Sequence, residues 1–143
     1  MSVESSLTLR RARADELAAC AALYVRVLRE TFTWVPRERH RPETFLAAAR
    51  DEEIYVAVER GRIVGLAALY RPQVFLHSLY VETRGRGVGK ALLDHVLAQT
   101  GGVLALKCQA ANLGAQAFYD REGFICIEAG EDDGVKWLRY VRG

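Results

Sequence analysis

A chain of 143 residues, half of them hydrophobic and 27% charged, has the length and composition of one globular domain with a proper core, spanning residues 1–143. No run approaches the ~20 apolar residues of a membrane span. The opening Met-Ser-Val-Glu-Ser-Ser also lacks the basic region and apolar core of a signal peptide, so a cytoplasmic protein with no membrane partner is expected. Twenty basic against 18 acidic residues give a net charge of +2, too balanced for a concentrated basic face, so no nucleic-acid partner is expected.

In chain order, residues 6–11 alternate polar and apolar, as a half-buried strand does. Asp15 offers an N-cap, and Leu17, Cys20 or Ala21, Tyr24 and Leu28 follow at helical spacing to an end near Arg29–Thr31. The loop from Thr31 to Pro42 carries Phe32 and Trp34, which either grip a substrate or cover the core edge. Its Arg37, Arg39, His40 and Arg41 would suit a carboxylate, whereas Glu131, Asp132 and Asp133 would draw a cationic amine, and the two signs conflict. A short helix is expected over 43–50, then a hairpin of strands 54–59 and 62–70 turned at Arg60-Gly61. Pro72 breaks the run before a strand over 74–81.

From Val88 the apolar period becomes helical, with Val88, Leu92 and Val96 on one face and Leu93 and Leu97 beside it; Gly101-Gly102 ends the helix. Strand 103–108, a helix over 112–122 with Asn112 as cap and Gly123 as stop, strand 124–128, an acidic turn at 131–134 and a last strand over 135–141 complete the pattern. The tally is about seven strands. The strand–helix–strand segment 74–108 implies one parallel crossover and the two hairpins are antiparallel, which makes a mixed α/β sheet with helices on both faces.

The joint between strand 74–81 and the following helix is the chemical centre. Arg84-Gly85-Arg86-Gly87-Val88-Gly89-Lys90 has glycines in alternate places, three cations and no carboxylate. Glycines let the backbone approach a ligand, the first turn of a helix has unpartnered N–H groups, and the dipole makes that end partly positive. The expected tenant is a phosphate or pyrophosphate. The spacing fails the Walker loop, because Gly85 lies one residue too close to Gly89-Lys90 and Ala91 replaces the Mg²⁺-binding hydroxyl. It fails the dinucleotide fingerprint because Lys90 and Leu92 stand where glycine is required.

Arg84-x-x-Gly87-x-Gly89 does match [RQ]-x-x-G-x-[GA]. One strand later comes Asn112-x-x-Ala115-x-x-Phe118-Tyr119-x-x-x-Gly123-Phe124. Together, in strand–loop–helix and helix settings, they resemble the acetyl-coenzyme A motifs of the GNAT superfamily of N-acetyltransferases. The resemblance implies a GNAT-like, mostly antiparallel sheet whose fourth and fifth strands splay apart, with acetyl-CoA as cofactor. Residues 84–90 would hold its diphosphate; Asn112, Ala115, Phe118 and Tyr119 would flank the pantetheine arm. An amide beside Leu79, Tyr80 and Val81 would polarise the thioester. Val81 N–H is the first choice and Leu79 the reserve, since only Glu82-Thr83 separate Val81 from Arg84 where relatives often carry about five residues.

The implied reaction is direct attack of a primary amine, small-molecule or peptidyl, in a ternary complex. Tyr119 would serve the departing sulfur. His77, Glu82 or a water chain would take the proton; an imidazole titrates in the useful range. Phe32, Trp34 and His40 are candidate substrate residues, and the resemblance leaves room for a homodimer. A non-catalytic acyl-CoA sensor, or an acetylase of a protein or charged RNA, are the alternatives. Cys20, Cys108 and Cys126 have no C-x-x-C spacing, so buried reduced thiols are expected, with no metal site and no nucleophilic role for Cys108.

Overall fold

The computed structural model describes residues 7–31 and 41–143. Phe32, Trp34, Arg37, Arg39 and His40 lie outside the described residues. Seven strands, β1 (Leu7–Arg11), β2 (Glu53–Glu59), β3 (Arg62–Tyr70), β4 (Phe75–Val81), β5 (Leu104–Gln109), β6 (Ile125–Asp132) and β7 (Val135–Arg142), form one sheet in the order β1-β2-β3-β4-β5-β7-β6. The helices are α1 (Leu17–Thr31), α2 (Pro42–Ala49), α3 (Val88–Thr100) and α4 (Leu113–Arg121).

β4 and β5 are parallel and the other neighbouring pairs antiparallel, as the crossover and hairpins require. Both hairpins turn on two left-handed residues, Arg60-Gly61 (φ 54° and 76°) and Asp133-Gly134 (φ 49° and 79°), the backbone that matches strand twist. The second turn is tighter than the acidic stretch implies, so β6 runs on to Asp132 rather than stopping at 128. As the outer strand it leaves Ile125 and Ile127 exposed.

β2 and β3 read as continuous apolar runs because both their faces are covered. Ile54, Val56, Leu66 and Ala68 pack with Cys20, Leu23 and Val27 of α1 and Phe45 of α2. Tyr55, Ala57, Ala67 and Leu69 pack with Val88, Leu92, Leu93 and Val96 of α3. Gly65 on β3 sets how close α3 comes: a Cβ there would lie 2.8 Å from Leu92 Cδ1 and 3.1 Å from Val88 Cγ1.

Helix starts follow capping chemistry with one correction. Asn112 Oδ1 accepts the Ala115 N–H at 3.1 Å, as a cap should, and Pro42 occupies the first turn of α2. Asp15 does not cap α1. A 3₁₀ turn over Ala14–Glu16 precedes the helix, and Glu16 Oε1 takes the Arg13 N–H at 2.8 Å. Arg10 reaches the same carboxylate at 2.8 and 2.7 Å and holds its pKa down at about 2, so the charged clamp joining β1 to α1 outcompetes the neighbouring Asp.

Candidate active site

β4 and β5 pair at only two positions, Phe75 with Ala105 and Leu76 with Leu106. Beyond them β4 stays with β3 as far as Val81, and β5 stays with β7 as far as Gln109. The strands therefore open into a V. Glu82 N–H donates to Val64 O on the β3 side at 2.8 Å. Peptide groups alternate along a strand, so the N–H groups of Leu79 and Val81 point the other way, into the V.

A cleft of about 620 Å³ runs from this V to the mouth of α3 and along α4. Leu79, Tyr80 and Val81 line it from β4, with Arg84, Gly85, Gly87, Val88, Gly89 and Lys90 at the loop. Asn112, Ala115, Phe118 and Tyr119 line it from α4. Gly85 (φ 80°) and Gly87 (φ 77°) are both left-handed, which a side chain would oppose. Gly87 is the residue before α3, and its carbonyl receives the Ala91 N–H at 3.0 Å. The N–H groups of Val88, Gly89 and Lys90 are thus at the open end of the helix, facing the cleft.

The cations of the loop play unequal parts. Arg84 lies alongside Gly114, whose absent Cβ would be 3.6 Å from Nη1. Arg86 does not line the cleft; it pairs with Glu59 at 3.0 Å. Lys90 lines it but is shared with Glu122 at 2.9 Å and Asp94 at 3.5 Å. Sequence reasoning missed Val27, Thr83, Gly114, Ala117, Arg121 and Glu122, which complete the wall. Gly114 and Ala117 lie within the second motif at places where small size signals close approach; Val27 reaches the site from α1 and leaves no local signal.

Tyr119 is 8% exposed, and its ring packs against Phe118 and Phe124 at centroid distances of 5.1 and 5.5 Å. Burial pushes its pKa well above the usual phenol value, so the hydroxyl keeps its proton at any physiological pH. Burial likewise raises the Cys108 thiol to about 11, which leaves it a poor nucleophile. Glu82 lies outside the cleft wall, its carboxylate engaged by Arg62 and, at 3.1 Å, by Arg26. His77 is also outside that wall, on an exposed part of β4 at the apex of the V, where its Nδ1 is hydrogen-bonded to Glu52. That bond raises the imidazole pKa against the opposing effect of burial.

A family model described as an acetyltransferase (GNAT) domain matches residues 16–142. The chain belongs to the GNAT acetyltransferase family. The 5-NmdU N-acetyltransferase of Pseudomonas phage PaMx11 is 38% identical over 96 residues, covering 62% of this chain and 67% of that protein. Apo YjaB from Escherichia coli superposes with a TM-score of 0.80 at 25% identity, over 94% of this GNAT chain and 96% of that one. YncA from Salmonella typhimurium, solved with its cofactor acetyl-CoA, shares the fold with a TM-score of 0.70 at 18% identity, over 95% and 92% of the two chains. Among the described residues of this acetyltransferase no helix is long and apolar enough to cross a bilayer.

Proposed function

We propose that this GNAT acetyltransferase moves an acetyl group from acetyl-CoA to a primary amine by direct attack in a ternary complex. One observation carries the reading: the open end of α3 and the V between β4 and β5 border a single continuous cleft. The donor set fits the coenzyme. Residues 84–90 contain no carboxylate, the glycine backbone is bare at Gly85 and Gly87, and the one acidic side chain on the wall among the described residues, Glu122, is paired with Lys90. Backbone N–H groups of residues 88–90, with Arg84, would hold the diphosphate.

Bound there, acetyl-CoA supplies an activated acyl group and a thiol leaving group. Val81 N–H, or Leu79 N–H two residues back on the same side, would donate to the acyl oxygen as negative charge develops on it. Tyr119, kept protonated by its burial, would give its proton to the sulfur. His77 would take the proton of the attacking amine, in preference to Glu82, whose Oε2 is held by two arginines and which lies outside the cleft wall.

A thiol-release assay with acetyl-CoA against amino acids, polyamines, aminoglycosides and N-terminal peptides tests this. Turnover on at least one amine is expected, and Tyr119→Phe should lower kcat by about 100-fold while leaving the acetyl-CoA KM alone. No release on any amine, with coenzyme affinity intact, would favour the sensor alternative. The phage relative's name favours a second reading of the acceptor. 5-NmdU therefore belongs in the panel, and its selective acetylation would replace the expectation of no nucleic-acid partner.

A further inference from the structure

His77 is the extra residue of a β-bulge. Ala68 of β3 faces Ser78 and Leu69 faces Leu76, which leaves His77 without a partner in the register. It is also the first residue of β4 past the last contact with β5, so it stands where the V opens. Glu52 approaches from the short link between α2 and β2, its N–H tied to Ala49 O at 3.3 Å. The Glu52 side chain is only 5% exposed, whereas that of His77 is 56% exposed. A carboxylate is thus sealed beneath an imidazole whose other nitrogen is left for solvent or substrate.

We propose that Glu52 is a positioning residue for catalysis: it holds Nδ1–H of His77, fixing the tautomer in which Nε2 is the proton acceptor at the apex of the V. This rests on the reading of His77 as the base. The amine lone pair forms the new C–N bond while the C–S pair leaves on sulfur with the Tyr119 proton. His77 Nε2 receives the proton shed by nitrogen, and the imidazolium is balanced by the Glu52 carboxylate beneath it. The proton then passes through solvent to the Tyr119 oxygen, restoring both groups.

The surroundings leave Glu52 in control of the titration. On β4 itself the neighbours are the Phe75 ring, 6.3 Å away, Ser78 and the phenol of Tyr80, which burial keeps protonated. From β7, Arg139 lies over the Phe75 ring, 5.5 Å from its centroid. From β2, Glu53 is taken up by Arg71 and Tyr55. Among the described residues the charge that acts on His77 is that of Glu52.

Glu52→Gln and His77→Gln test the pair, with the pH profile of kcat/KM as readout and with NMR of the imidazole nitrogens in the coenzyme-free protein. Glu52→Gln retains an acceptor for Nδ1–H but removes the charge. It should move the acidic limb, and the NMR titration of His77, down by about one pH unit, because the base then becomes neutral at lower pH. It should also lower kcat by about tenfold with unchanged acetyl-CoA affinity. Wild-type limb and titration in a folded Glu52→Gln protein would overturn the proposal. Should Glu52→Gln fail to fold, Glu52→Asp decides: retention of the charge predicts the wild-type titration in a shorter reach, and a His77 pKa near that of a free imidazole overturns the pairing. Failure of the base reading looks different, with His77→Gln itself keeping the acidic limb and full kcat.

Discussion

The two ends of β4 are built on opposite principles. At its carboxyl end, Arg84 to Lys90 follow one another in the chain, and the proposed coenzyme site is the backbone of a single turn. At its amino end, His77 meets Glu52 from 25 residues earlier, and the proposed proton-transfer pair is made of side chains that the sheet brings together. The first kind of site is written in consecutive residues; the second exists only once β2, β3 and α2 have packed. Binding and chemistry in this chain can therefore be damaged separately.

The harshest break is Gly87→Val. At φ 77° a β-branched residue opposes the left-handed backbone by roughly 1–2 kcal/mol and places bulk at the mouth of α3. Acetyl-CoA affinity should fall by about 100-fold in calorimetry, with circular dichroism unchanged and the His77 titration untouched. Full affinity in that variant would mean that the turn does not hold the coenzyme. Gly65→Ala should act through α3, since its Cβ would press on Leu92 and Val88. A loss of about 1–3 kcal/mol in urea unfolding is expected, with a smaller loss of coenzyme affinity as α3 is pushed off the sheet. Lys90→Gln should be the mildest. Lys90 is 59% exposed at its side chain and already shared with Glu122 and Asp94, so a few-fold weakening of acetyl-CoA binding that vanishes at high salt is expected.

The same contrast explains what the sequence made legible. The glycine-rich turn at 84–90, Asn112 with its cap, and the turn at Arg60-Gly61 all express local backbone rules: Gly85 and Gly87 are left-handed, Asn112 caps α4, and Arg60-Gly61 turns the first hairpin. Asp15 misled because its competitor, Glu16, is chosen by Arg10 on a strand rather than by the helix. Glu52 and Gly65 carry no local mark. One is an acid among acids at 51–53, and the glycine matters only for Leu92 and Val88, which lie elsewhere in the chain. The same reasoning separates Arg84, turned to α4, from Arg86, drawn away to Glu59, although both looked equivalent in the motif.

The bulge at His77 has one more effect. Leu76 and Tyr80, four positions apart, would lie on the same side of an uninterrupted strand, yet Leu76 packs toward α3 and Tyr80 toward α1 and α2. One surplus residue reverses the parity of everything downstream in β4, including which peptide groups look toward β5. The proposed donors to the acyl oxygen are thus a matter of counting rather than of side-chain type. Among substitutions only proline, which has no backbone N–H, could erase one; moving the set to other residues takes a change in chain length.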